Sequence, residues 1–492
     1  MGFELALQPN NLLAMFIGTL LGYVVGAMPG INPTIGLALL IPFTYRLDAV
    51  TSIILLVVLY KAFEYGGGIT AILVNTPGNA ANAATALDGY PLALQGKATT
   101  ALGISIISSS FGAFGSSILM MLFALPLAAF ALRFAAPEHF FLAMFGLSVV
   151  SGLSSDNMTK GLLAVMFGLL VTTIGIDPVD GTLRYIFTFH FMEGIPFVPA
   201  MVGLFAFAEV LTLLSQSGKD ESKQIIKTEG GLPTRSELMY CMPTIVRSTI
   251  IGFVIGIIPA VGANVASWIS YNAGKSFSKN PEMFGKGALD GIAASETANN
   301  ASVPGALVPT FTLGIPGSPA AAVLIGALIM QGLQPGPLLF TRNPEIPFST
   351  FAAMIISVPV MLAVGLLGAP LFGKVVLIPR AVLSTMIVST CVLGAYALVN
   401  HIFGVWIAFG FGILGFLLRK LKFPIAPIVL ALVLGTMAER NFRVALLMGE
   451  GSPLIFITRP LSIAIAVLAL ISFSYPFIQA ELNKRRSKNQ TQ

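Results

Sequence analysis

Two short stretches of this chain concentrate the side chains that could hold a small solute. Residues 69–83 read ITAILVNTPGNAANA and residues 309–322 read PTFTLGIPGSPAAA. Each places an apolar run, a small polar Pro-Gly turn and an Ala-rich apolar run in succession. Asn75, Thr76, Gly78 and Asn79 stand at the first turn, and Gly314, Gly317 and Ser318 at the second. An earlier break, GAMPGINPTIG, adds Asn32 and Thr34, with Asn32 before Pro33 in the pattern of an N-cap and a first-turn proline. Groups of this kind bind without covalent chemistry. A helix that starts inside a bilayer aims free N–H groups and the positive end of its dipole at a cavity, which suits a carboxylate or a phosphate. Such starts are expected at Asn32–Pro33, Thr76–Pro77 and Ser318–Pro319. Asn32, Thr34, Asn75, Thr76, Gly78, Asn79, Gly314, Gly317 and Ser318 are therefore the candidate solute ligands. Unwound carbonyls with amide and hydroxyl oxygens suit a desolvated sodium ion, for which Asn75, Asn82, Asn299, Asn300 and Thr312 are the candidates.

Catalytic patterns do not compete with this reading. Gly274–Lys275–Ser276 mimics the end of a P-loop, but Ile269 stands where its first glycine must be. No HExxH, no GxSxG and no ligand-spaced Cys/His group occurs, so neither an enzyme nor a resident metal is expected. Cys241 and Cys391 lie far apart, and His139, His190 and His401 are isolated in sequence. Asp156, Asp177, Asp180 and Glu209 read as boundary or loop charges.

The elements that must position these residues are membrane helices. Hydrophobic residues make up 55% of the 492 and charged residues 10%, against roughly 25% charged in a soluble domain. Apolar runs near the ~20 residues needed to cross hydrocarbon recur along the chain, among them 12–28, 36–63, 101–132, 348–372, 382–400 and 402–418. The expected fold is an all-α, polytopic integral membrane protein with about 10 to 12 segments, some of them broken helices or re-entrant hairpins. Its formal charge of +6 is scattered over loops without a basic, aromatic-interleaved domain, which excludes nucleic acid as a partner. Short clusters at Arg419, Lys420 and Lys422 and at Lys484, Arg485, Arg486 and Lys488 place those loops and the C-terminus in the cytoplasm. Glu4 with no cation before Arg46 favours an N-terminus on the other side. Arg440, Arg443 and Arg459 fit this topology less well and leave room for a re-entrant piece. Lys61 and Glu64, spaced i,i+3, can pair on one helical face.

The breaks come twice. YVVGAMPGINPT (23–34) lines up with FVIGIIPAVGAN (253–264), so that Gly26 meets Gly256 and Pro29 meets Pro259, and NTPG lines up with GIPG. Two breaks in the same order point to an internal duplication, with the copies inverted in the membrane. The organisation expected is a first membrane repeat over 1–214, a polar linker over 215–237, a second repeat over 238–478 and a basic tail over 479–492. In the second repeat Glu296, Asn299 and Asn300 share one helical face.

Three runs carry a family resemblance: NTPGNAANAATALDGYPLALQGKA, ETANNASVPGALVPTFTLGIPGSPAAAVLIGALIMQGLQPGP and GAMPGINPTIGLALLIPFTY. Together they resemble the large membrane subunit of the tripartite tricarboxylate transporters over nearly the whole chain. The signature positions carried by the resemblance are Pro29, Gly30, Pro33, Asn75, Pro77, Gly78, Asp88, Gly89, Gln95, Gly96, Lys97, Asn299, Asn300, Gly314, Pro316, Gly317 and Ser318. The resemblance implies a bacterial inner-membrane carrier for citrate-like or related organic carboxylates. It implies two partners, a small four-helix membrane subunit and a periplasmic solute-binding protein, and coupling to a Na+ or H+ gradient in place of ATP. A stand-alone secondary carrier, a channel and a membrane-embedded enzyme are the alternative readings.

Overall fold

A computed structural model describes residues 1–28, 31–153, 158–177, 179–215, 225–228, 230–259 and 261–474. Pro29, Gly30, Asp156, residues 216–224 and 229 of the linker, and the basic tail lie outside the described residues.

Hydrocarbon offers the backbone no hydrogen-bond partners, so an apolar chain must satisfy its own amides, and this one does so as helix. Among the described residues, eight helices are long and apolar enough to cross a membrane, and four shorter apolar helices accompany them. The fold is thus the expected all-α polytopic one, with full-length and half-length segments mixed. One short antiparallel pair of strands, Gly175–Ile176 with Leu183–Arg184, interrupts it.

After a short N-terminal helix, the first half runs α1 (Pro9–Gly26), α2 (Pro33–Thr44), α3 (Ala49–Val74), α4 (Ala83–Leu92), α5 (Ala98–Ala131), α6 (Ala136–Leu153), α7 (Met158–Thr172) and α8 (Phe197–Ser215). The second half runs α9 (Arg235–Ile257), α10 (Gly262–Phe277), α11 (Leu289–Leu313), α12 (Pro319–Met330), α13 (Glu345–Gly373), α14 (Arg380–Val399), α15 (Ile402–Lys420), α16 (Ala426–Met448) and α17 (Pro460–Ser474). The apolar run 36–63 does not form one segment. Asp48 accepts the Thr51 amide at 3.0 Å and so caps a new helix, which separates α3 from α2.

One packing arrangement occurs in both halves. Helix α1 lies along α3, and α9 lies along α11. A Cβ on Gly66 would stand 2.8 Å from the Tyr23 carbonyl, and one on Gly305 would stand 2.5 Å from the Phe253 carbonyl. Only glycine permits backbones to cross this closely. Both long helices then end on a left-handed residue, Asn75 at φ 51° and Gly314 at φ 70°. Beyond each cap the chain folds back along the helix it has just left. The Gly78 amide donates to the Gly67 carbonyl at 3.2 Å, and the Ile315 amide to the Pro309 carbonyl at 3.3 Å.

Helices α3 and α11 run in opposite directions. The far end of α3 meets the interhelical connection, where the Ile226 amide donates to the Leu73 carbonyl at 3.1 Å. Gln95 donates to the Lys286 carbonyl and Thr100 to the Gly231 carbonyl, both at 2.8 Å, so the start of α11 lies at this same linker face. Asp88 of α4 fastens it there. One carboxylate oxygen accepts the amides of Gly285, Gly287 and Ala288 at 2.8–2.9 Å, and the other accepts the Tyr271 hydroxyl at 2.8 Å.

Candidate functional site

Helix α3 carries the sequence EYGGG at positions 64–68, in the interior of the bundle. Its glycines strip the helix to bare backbone, and polar groups occupy the space. A Cβ on Gly67 would collide with Asn82 Oδ1, and one on Gly68 would lie 2.7 Å from Glu296 Oε1. Two carboxylates are buried here, Glu64 at 2% exposure and Glu296 at 0%.

Each carboxylate is solvated by neutral donors. Glu296 Oε1 accepts the Thr85 hydroxyl at 2.6 Å and the Asn82 amide at 3.2 Å, while its Oε2 accepts the Ser109 hydroxyl at 2.9 Å. Glu64 Oε2 accepts the Asn79 amide at 2.8 Å. The Glu64 main-chain carbonyl accepts two side-chain amides, those of Asn82 and Asn299, each at 3.0 Å. Neither carboxylate has an ion-pair partner among the described residues. The pairing of Lys61 with Glu64 open to their spacing is not made: Lys61 turns to α13 and donates to the Met354 carbonyl at 2.9 Å and to Ser357 Oγ at 2.6 Å. Carbonyl and hydroxyl acceptors on the neighbouring helix satisfy the ammonium where a carboxylate three residues away does not.

The structure gathers some of the sequence candidates and disperses others. Asn79, Asn82 and Asn299 meet at Glu64. Asn300 lies one residue beyond, fully buried, with neither side-chain atom hydrogen-bonded. Asn75 is instead an exposed helix cap, and Thr312 donates to the Val308 carbonyl of its own helix at 2.7 Å. Of the three expected helix starts, two are present. Asn32 Oδ1 accepts the Ile35 amide at 2.9 Å, with Thr34 buried in the same first turn, and Ser318 Oγ accepts the Ala321 amide at 3.1 Å. Thr76–Pro77 starts no helix. Thr76 turns back on α3, its amide reaching the Thr70 carbonyl at 3.2 Å, and Asn79 Oδ1 captures the amides of Ala81 and Asn82, which delays α4 to Ala83.

The second turn reaches the same part of α3. Ser318 Oγ and Tyr60 OH are 2.9 Å apart, one helical turn from Glu64, and the Gly317 amide points at Thr310 Oγ1 at 3.4 Å. Sequence reasoning noticed Glu64 and Glu296 without centring the site on them, and it missed Tyr60, Thr85 and Ser109. The legible signals were a lone acid in the small-residue stretch AASETANNAS and the serine run 108–110.

At the face opposite the linker, beside Gly314, lies a cavity of about 1210 Å³. Leu313 and Gly314 border it from the second turn, Gln334 and Pro335 from the segment after α12, and Arg440 and Asn441 from α16. On its rim Arg184 bonds Glu439, and close by Arg443 reaches Asp177 at 2.8 Å and Asp180 at 3.1 Å. The Thr182 hydroxyl and amide, with Arg443 behind them, hold the Asp180 carboxyl below its ordinary range. Arg459 pairs with Glu138 at 2.6 Å, so Arg443 and Arg459 are neutralised locally. Arg440 has no acidic partner among the described residues.

A polytopic helical bundle with two interrupted hairpins and buried, uncompensated carboxylates between them has the architecture of a membrane transporter. The chain belongs to the tripartite tricarboxylate transporter TctA family, whose model matches residues 12–430. It is 37% identical over 491 residues to an uncharacterized 52.8 kDa protein in the TAR-I ttuC' 3'region of Agrobacterium vitis, covering 98% of this chain and 97% of that one. An uncharacterized protein in the TAR-II ttuC' 3'region of the same organism is 35% identical over 237 residues, 48% of this chain and 97% of that one. No solved structure matches the chain.

Proposed function

We propose that this protein is the large permease subunit of a binding-protein-dependent secondary transporter of the bacterial inner membrane. It takes up a citrate-like tricarboxylate or a related organic acid by symport with Na+ or H+, alongside a small four-helix membrane subunit and a periplasmic solute-binding protein. Family membership supports the class of solute and the tripartite assembly. The observation that carries the mechanism is the convergence of both interrupted hairpins on one stretch of α3: the first through Gly78, Asn79 and Asn82, the second through Ser318.

The helix starts at Asn32 and Ser318 present amides suited to an anionic solute, with Thr34 and Gly317 close to them in the chain, Thr76, Gly78 and Asn79 in the first turn, and Asn75 and Gly314 at the caps. The opposed directions of α3 and α11, and the shared glycine crossings, support an inverted duplication of 1–214 and 238–478 about the 215–237 linker. With the linker face cytoplasmic, the N-terminus is periplasmic, the 479–492 tail is cytoplasmic and the cavity beside Gly314 opens to the periplasm. Movement of the hairpins against the remaining helices then alternates access.

Reconstituted proteoliposomes test the proposal. With both partners present and labelled citrate outside, uptake should follow an imposed Na+ or H+ gradient and be indifferent to internal ATP. Uptake that requires ATP and survives collapse of both gradients would refute it.

A further inference from the structure

Burying a carboxylate without a countercharge costs several kcal/mol even after relaxation, and here both Glu64 and Glu296 are buried without one among the described residues. Asn82 Nδ2 contacts both the Glu64 carbonyl and Glu296 Oε1. Its other arm, Oδ1, is held against Gly67 and finds no donor. Asn299 is in the same position, since its Nδ2 is committed to the Glu64 carbonyl and its Oδ1 has no donor. Both residues are at least 99% buried, at 0% and 1% exposure. The hydrogen bonds fix the amide orientations, because a flipped Asn82 would set its oxygen against two acceptors.

A proton on a carboxylate would neutralise one charge and supply a single O–H donor, leaving at least one of the two amide oxygens unsatisfied. A hard cation meets both needs at once, since carboxylate, amide and backbone carbonyl oxygens are its preferred ligands. The charge of Glu296 is already shared among Thr85, Ser109 and Asn82, which leaves a demand suited to a monovalent ion. From this geometry we infer a sodium site between α3, the first turn and α11, formed by the carboxylate of Glu296 and the Oδ1 atoms of Asn82 and Asn299, with the Glu64 carboxylate at its edge. This rests on the transport reading above, and it makes Na+ the coupling ion. Asn82 belongs to the mobile hairpin and Asn299 to α11, so occupancy would tie the hairpin to the second half of the molecule. Asn75 and Thr312 take no part.

Binding of radioactive 22Na+ to the purified full-length chain in nanodiscs tests the site without relying on uptake. Saturable binding should weaken roughly 10- to 100-fold in Glu296→Gln and in Asn299→Leu, the range found when a metal site loses a supporting group. Thr312→Ala should bind like the unaltered chain. Both variants lie on α11, so Asn82→Leu, at the first turn, is measured beside them and should weaken binding over the same range; a folding defect in α11 then leaves it informative. Unchanged 22Na+ binding in these variants would overturn the site, even where gradient-driven uptake persists. Uptake driven by a proton gradient in sodium-free medium, with no 22Na+ bound, would overturn it too. Sodium binding that responds to these variants in a protein that moves no carboxylate would uphold the site and remove the transport reading.

Discussion

Asn75 and Gly314 occupy the same left-handed backbone conformation at the ends of two antiparallel helices, with φ of 51° and 70°. Each cap reverses the chain onto its own helix, so the two turns face opposite sides of the bundle. A cysteine replacing exposed Ala80, beside the first turn, should react with a membrane-impermeant maleimide from one side only. One replacing Gln334, in the cavity beside Gly314, should react only from the other. Labelling of both from a single side would contradict the inverted arrangement. The native Cys241 and Cys391 are buried and leave a low background.

Side chains cannot be inserted at the two returns. A Cβ on Gly78 would collide with the Gly26 carbonyl and lie 2.5 Å from Gly67 Cα, and one on Gly317 would lie 2.5 Å from Ala306 Cα. Valine at either position must separate packed backbones, at a cost of about 1–3 kcal/mol. Gly78→Val and Gly317→Val should abolish uptake at normal membrane expression. Gly410, with nothing within 4 Å of its Cβ position, should accept valine with uptake unchanged. Gly412 is an unsuitable control, because its Cβ would meet that of Phe207 at 2.6 Å.

Asp88 holds three backbone amides and one phenol at the start of α11, and its loss should be felt as stability. Each hydrogen bond to a charged group contributes roughly 1.5–3 kcal/mol, and stranded buried amides add a desolvation penalty. Asp88→Ala should therefore lower the melting temperature in detergent far more than Asp88→Asn, which keeps one acceptor. Equal melting of both variants and the unaltered chain would show that the loop 285–288 finds other partners.

The rim segment 175–184 should respond to acid. Since the folded Asp180 carboxyl is held low, the unfolded segment takes up the proton first as the pH falls. The stabilisation is complete above the ordinary aspartate range, near ~4, and is lost as pH drops through the folded value. Hydrogen exchange across this segment, corrected for intrinsic rate, should open on acidification. Asp180→Asn should already be open at neutral pH and change less.

Binding residues were legible to the extent that they announced themselves by type. Asn32 before Pro33 and Ser318 before Pro319 cap helices as their spacing predicts, because capping is decided within four residues. Thr76 before Pro77 has the same form and caps nothing. There a residue three positions on, Asn79, offers its carbonyl to the following amides, and Gly78 lets the chain collapse onto α3. Lys61 and Glu64 likewise share a helical face in sequence but bond in different directions, Lys61 to α13 and Glu64 to Asn79 of the first turn.

Composition and the order of the breaks were enough to determine that this chain is an all-helical membrane protein with two interrupted hairpins. Lipid leaves the backbone only helices or closed barrels, apolar runs near ~20 residues select the helix, and Pro-Gly turns within such runs are local events. Only the tertiary structure decided where the site lies. Glu296, Thr85 and Ser109 belong to α11, α4 and α5, and nothing in their local sequence says that three helices bring them to the bare backbone of Gly67 and Gly68. Burial chose among the polar candidates: it set Asn82 against the Glu296 carboxylate and Asn299 against the Glu64 main-chain carbonyl and left Asn75 in the open, because a side chain's demand for partners is set by the dielectric and the neighbours that the whole fold supplies.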